Sequence, residues 1–161
     1  MAGSVLLFGY GNASRGDDGL GPAFIERIES LQPAHPEWPK LDLLTDFQIQ
    51  VEHALDLKGR DCVVLIDASV AAEAPFSYER IFPGGEPAYS THIVLPQTLL
   101  RVYEVVTGEP APPAYLMGIR GEHFELGDSL SPAASANLER AVAFAVELLG
   151  KREPESAEKH E

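Results

Sequence analysis

The stretch from Val5 to Pro22 constrains the chain more than any other. Val5-Leu6-Leu7-Phe8 is a continuous apolar run, which predicts a buried strand. Gly9 and Gly11 follow and permit a sharp turn and close backbone approach. Asp17 and Asp18 then stand just ahead of Leu20, Ala23, Phe24, Ile28 and Leu31, whose spacing predicts a helix fading near Ser30, with the acidic pair in or near its first turn. The unit is strand, glycine loop, acidic pair, helix. A dinucleotide fingerprint would need a third glycine where Ser14 stands, and no G-K-[ST] of a phosphate loop occurs. Carboxylates at the positive end of a helix would also repel a phosphate. The loop suits a cation or a proton, the alternative being that one of the two aspartates caps the helix.

The 161 residues suffice for one domain, expected over residues 1–150, with a charged tail over 151–161 expected to be disordered. The single cysteine, Cys62, excludes an internal disulfide and a cysteine metal site and fits a reducing cytoplasm. No signal-peptide pattern and no apolar run of membrane-spanning length is present. The formal charge of −13 argues against nucleic acid and anionic membrane as partners and is compatible with a cation or a basic protein.

Further along, Gln32 to Lys40 is a proline-bearing loop, Leu41–Leu44 reads as a short second strand, and Val51 to Lys58 as a helix closed by Gly59. Glu52 and His53 at its start read as part of a solvated face. Cys62-Val63-Val64-Leu65-Ile66, rich in β-branched residues, predicts a central strand buried on both faces, with Cys62 in the core rather than a nucleophile. That strand runs straight into Asp67. In an open α/β sheet the C-terminal strand edge carries the site, so Asp18 and Asp67 converge there if the first strand is parallel to this one. Ser77 to Phe82 reads as an edge strand. His92 sits in a loop after Ser90 and Thr91. Pro96 to Val106 predicts a helix, Tyr115 to Ile119 a strand, Gly121 to Ser131 an irregular segment, and Ser131-Pro132 opens the last helix, ended by Gly150. The alternation predicts an α/β fold: three αβα layers around a mostly parallel sheet of about five strands.

Gly9-x-Gly11-Asn12 followed by Asp17-Asp18-Gly19-x-Gly21-Pro22 resembles the hydrogenase maturation proteases, endopeptidases that trim the C-terminus of the large subunit of nickel–iron hydrogenases. Leu-Ser-Pro ahead of the terminal helix, at Leu130-Ser131-Pro132, agrees with the resemblance, which runs from Val5 to about Gly150. It implies a phosphorylase/hydrolase-like twisted sheet with the strand near Ser77 to Phe82 antiparallel. It matches Asp18, Asp67 and His92 to the family's three metal-contacting and catalytic positions, with Asp18 rather than Asp17 as the ligand. Asp17, Asp46 and Gln48 are secondary candidates. The implied metal is nickel supplied by the substrate, with no organic cofactor. The implied partner is the immature large subunit, met by a protein that is a monomer when alone.

Two carboxylates and an imidazole are a donor set for a borderline divalent metal and leave coordination positions open. Neither H-E-x-x-H nor G-x-S-x-G is present, so no conventional zinc helix or serine elbow is available. Where many members carry D-G-G-T after the second strand, this chain has Asp46-Phe47-Gln48-Ile49; that form is similar to proteases serving soluble, NAD-linked hydrogenases. Two other classes remain open on the residues alone: a non-catalytic nickel-binding module, and a nucleotide-handling α/β enzyme.

Overall fold

The computed structural model describes residues 3–85 and 94–151. His92 and the tail from 152 onwards therefore lie outside the described residues. Within them the strands are β1 (Ser4–Tyr10), β2 (Lys40–Asp46), β3 (Cys62–Ser69), β4 (Phe76–Ile81) and β5 (Ala114–Arg120), and the α-helices are α1 (Leu20–Leu31), α2 (Pro96–Thr107) and α3 (Pro132–Leu149). They form one sheet in the order β2-β1-β3-β5-β4. β2, β1, β3 and β5 are parallel and β4 is antiparallel to β5. The five-strand mixed α/β sheet, the central place of the Cys62 strand and the antiparallel edge all agree with the sequence reading.

Both faces of the sheet are covered because the central strands are apolar on both. On one side Val5, Leu7, Val64 and Ile66 meet Phe24, Ile25 and Ile28 of α1 and Leu138, Ala141 and Val142 of α3. On the other, Leu6, Phe8, Val63 and Leu65 meet Ala54 and Leu57 and, from α2, Leu99, Leu100 and Tyr103. Ala54 and Leu57 belong to the helix expected here, which is a 3₁₀ helix, Val51–Leu57. It ends at Lys58, and Gly59 follows at φ +78°, the left-handed position that glycine takes without a Cβ penalty. A second 3₁₀ turn, Gln32–Ala34, interrupts the loop after α1.

Two contacts fix the end of β1 against the start of α1. A Cβ on Gly21 would lie 2.5 Å from the Tyr10 carbonyl and 2.7 Å from that of Ile66. Helix α1 thus starts directly on top of the C-terminal ends of β1 and β3, at a distance only glycine permits. A Cβ on Gly11, which sits at φ +144°, would lie 2.0 Å from the Asp18 carbonyl. The glycine loop is therefore folded hard against the turn that carries the acidic pair.

Candidate active site

Register brings the site together. β1 and β3 are aligned so that Gly9 faces Ile66, which sets Tyr10 beside Asp67, one step beyond the last paired residues. The Tyr10 hydroxyl donates to Asp67 Oδ2 at 3.0 Å. Asp18 approaches from the turn Gly16–Gly19, where its Oδ2 accepts from the Asn12 amide at 2.7 Å. Asn12 also shapes the loop: its Oδ1 accepts from Ser14 N–H at 2.8 Å and its carbonyl from Arg15 N–H at 3.0 Å. Each carboxylate thus has one oxygen tied down, and no described residue donates to the Oδ1 of either. Both aspartates are half-buried.

Electrostatics confirm that the two groups feel each other. Burial pushes the Asp67 carboxyl up to about 6; the Tyr10 hydroxyl works against that rise and the charge of Asp18 adds to it. The Tyr10 hydroxyl is itself driven upward, first by burial and then by the charge of Asp67. It therefore stays protonated at neutral pH and serves as the donor to Asp67. Two open anionic oxygens sharing a poorly solvated spot favour a cation between them. Among the described residues no group of three or more His, Cys, Asp and Glu converges to hold a metal. Asp18 and Asp67 are brought together at the strand edge, while His92 lies outside the described residues.

Asp17 has a different role. It is completely buried, and all its acceptor bonds go to the segment ahead of α3. Oδ2 accepts from Glu122 N–H at 2.7 Å, His123 N–H at 3.0 Å and the Ser131 hydroxyl at 2.8 Å, and Oδ1 accepts from Ser131 N–H at 2.7 Å. Burial raises its pKa, but the amides of His123, Ser131 and Glu122 and the Ser131 hydroxyl outweigh it and hold the carboxyl below its ordinary range. With no acceptor left over, Asp17 is not available to a metal. The alternative that an aspartate caps α1 does not hold: the N-cap is Gly19 and no side chain caps it. Of the three α-helices, α3 carries a side-chain cap: the Ser131 hydroxyl accepts from Ala134 N–H at 3.1 Å and Asp17 holds Ser131 in place.

The secondary candidates divide. Gln48 is exposed, and Asp46 is half-buried at the end of β2. Asp46 Oδ1 accepts from Phe47 N–H at 2.7 Å, and its Oδ2 is 3.1 Å from His53 Nε2. His53 overturns its expected place on a solvated face. It is 7% exposed, with its ring 4.6 Å from that of Phe8, and its Nδ1 accepts from Gln50 N–H at 2.8 Å. The neutral tautomer with the proton on Nε2 satisfies both nitrogens, which is why this imidazole can be buried. His53 therefore locks the segment 46–50 onto the core. Replacing it with alanine is expected to cost about 2 kcal/mol in urea unfolding, and to speed amide exchange at Gln50 well beyond that at Leu65. Unchanged Gln50 exchange would show that the lock does not exist.

A depression of about 300 Å³ lies between the two loops, lined by Gly11, Ala13, Pro22, Thr45, Asp46 and Phe47. Phe47 is 72% exposed on its rim. The residue that sequence reading missed is Tyr10. A tyrosine ending a buried strand needs a partner for its hydroxyl, but which partner becomes visible only with the β1–β3 register.

Solved structures share this fold. The nickel–iron hydrogenase maturation protease HycI from Thermococcus kodakarensis superposes with a TM-score of 0.67 at 22% identity, over 92% of this chain and 93% of that one. The hydrogenase maturating endopeptidase HybD from E. coli gives a TM-score of 0.63 at 21% identity, over 90% and 91%. An endopeptidase from Escherichia coli solved in solution gives 0.65 at 21% identity, over 91% of each chain. No family model matches the sequence, and no curated protein does. The common feature established by these superpositions is the five-stranded α/β fold.

Proposed function

We propose that this chain is an endopeptidase that removes the C-terminal extension of the nickel-loaded large-subunit precursor of a nickel–iron hydrogenase. The observation that carries the reading is the pair Asp18 and Asp67, each with one oxygen tied and one open. It lies at the C-terminal strand edge of a fold shared with hydrogenase maturation proteases. The nickel belongs to the substrate. Asp18 Oδ1, Asp67 Oδ1 and the His92 imidazole would grip it from this side, so an unloaded precursor is a poor substrate. The form Asp46-Phe47-Gln48-Ile49 favours a precursor from a soluble, NAD-linked hydrogenase, with Phe47 offering an apolar contact beside the site.

The chain's own residues can also supply the proton chemistry. A carboxylate held near pH 6, as Asp67 is, is ionised at neutral pH and still basic enough to take a proton from water. That water attacks the scissile carbonyl carbon, the C–N bond breaks, and the proton passes to the departing amine. Tyr10 keeps Asp67 Oδ2 occupied, so Oδ1 can act either as the base toward water or as a ligand to nickel, and these are alternative chemistries. In the alternative, Asp18, Asp67 and His92 would hold the substrate nickel, which would supply Lewis-acid polarisation of the scissile carbonyl.

The test is mass spectrometry of a co-expressed precursor with and without this chain. Wild type is expected to shorten only the nickel-loaded form. Asp67→Ala and His92→Ala are expected to leave it uncut, and His123→Ala, altering an exposed side chain in a polar loop, to process normally. Equal cutting of nickel-free precursor, or a fully active His92→Ala chain, would refute the nickel-reading mechanism.

A further inference from the structure

We infer that the open edge of β2 is a docking strand, which takes an extended peptide with basic side chains at alternate positions as a sixth strand of the sheet. The occupant is the precursor tail, an assignment that rests on the reading above. Among the described residues β2 pairs only with β1. The Asp46 carbonyl accepts from Gly11 N–H at 3.0 Å and so points toward β1. Backbone groups alternate sides along a strand, so those of Asp42 and Leu44 also face β1. The N–H and C=O groups of Leu41, Leu43 and Thr45 therefore face outward. No proline interrupts β2, and such an edge is a ready template for another strand.

The space beside this edge leads to the site. A depression of about 270 Å³ lined by Pro22, Ile25, Glu26, Glu29, Leu43 and Thr45 follows the α1 side of β2. It shares Pro22 and Thr45 with the depression between the two site loops. A chain paired to β2 would lay every second side chain into this space. There it would meet apolar surface from Ile25 and Leu43 and the exposed carboxylates of Glu26 and Glu29. No described residue forms a salt bridge with either glutamate, whereas neighbouring Arg27 is already paired with Glu139. Uncompensated negative charge beside an outward-facing backbone selects a basic strand, in keeping with the net charge of −13. Main-chain bonds would supply affinity and the alternate contacts specificity.

The probe is a synthetic ten-residue peptide alternating lysine and valine, titrated into the full-length isotopically labelled chain, with a glutamate–valine peptide as control. The basic peptide is expected to slow amide exchange at Leu41, Leu43 and Thr45 by about tenfold or more. The acidic one should not. Thr45→Pro removes an outward donor on an edge strand that tolerates proline, and should abolish the protection at Leu43. Should that variant fail to fold, the surface double change Glu26→Lys with Glu29→Lys carries the test: it should reverse the charge preference of binding. No protection at the three amides, or equal protection by both peptides, overturns the inference. The protease reading is judged separately. Precursor cut at the wild-type rate by the Glu26→Lys, Glu29→Lys chain overturns the docking edge and leaves the peptidase standing. Specific docking by a chain that cuts no precursor keeps the surface and removes the precursor tail as its occupant.

Discussion

Asp17→Ala is expected to lower stability at pH 7 by about 3–5 kcal/mol, the cost of stripping a buried charge from its hydrogen-bond partners. That loss is a large share of what an ordinary domain has in hand. Among the described residues the carboxylate is the only acceptor for the Glu122, His123 and Ser131 amides, which converge on it from a segment 105 to 114 residues away. Removing it leaves one buried and two partly buried N–H groups and the Ser131 hydroxyl without that partner, and loosens the N-terminal cap of α3. The effect has a definite pH dependence. The folded-state pKa of Asp17 is depressed, so the unfolded chain binds the proton more readily. The contribution is therefore complete above the unfolded carboxyl value of about 3.9 and is lost as pH falls through the lower folded value. Urea unfolding at pH 7 and pH 3 should show a wide gap between wild type and variant at the first and a narrower one at the second. A gap under about 1 kcal/mol at pH 7 would mean that the segment 122–131 is held by something else.

Asp67→Asn is expected to do the reverse to stability and to abolish function. The folded-state pKa is raised to about 6, so the native chain binds the proton more tightly than the unfolded one. Stability then falls as pH rises from about 4 to about 6, and at neutral pH the charged form costs about 2–3 kcal/mol. Asparagine keeps an acceptor for the Tyr10 hydroxyl and carries no charge to repel Asp18. The variant should therefore exceed wild type in thermal stability at pH 7 and lose that advantage near pH 4. Its precursor should remain uncut. Calorimetry with nickel should show a single weak event in wild type and none in the variant, because the open anionic oxygen is gone. A variant no more stable than wild type at pH 7 would mean that Asp67 is well solvated, and the case for a poised carboxylate would fall. Greater stability with lost function is the trade expected where a site keeps a charge in an unfavourable place.

Much of this protein was legible in its sequence. The apolar run at Val5–Phe8, the unbroken β-branched run at Cys62–Ile66 and the periodic apolar positions of α1 and α3 each report a local geometry that the chain itself imposes. Their alternation sufficed for a mostly parallel α/β sheet, and the end of the Cys62 strand sufficed to place Asp67 at its C-terminal edge. The edge strand at Ser77 to Phe82 was legible in its alternation and flanking turns, whereas its antiparallel direction came from family resemblance.

Tertiary structure alone decided how the polar groups are used. Asp17 and Asp18 are adjacent and chemically identical, and nothing local separates them. One turns to amides more than a hundred residues away, the other to Asn12. His53 looked solvated because it stands beside Glu52 at the start of the segment Val51 to Lys58. It is buried because Asp46 at the end of β2 and the Gln50 amide satisfy its two nitrogens. Tyr10 finds Asp67 only because β1 and β3 are paired with Gly9 opposite Ile66; a slip of one residue would turn the hydroxyl to the other face. Periodicity records which side of an element is apolar. A buried donor or acceptor must find a partner wherever packing brings one, and strand register and loop closure, not local sequence, determine which residue that is.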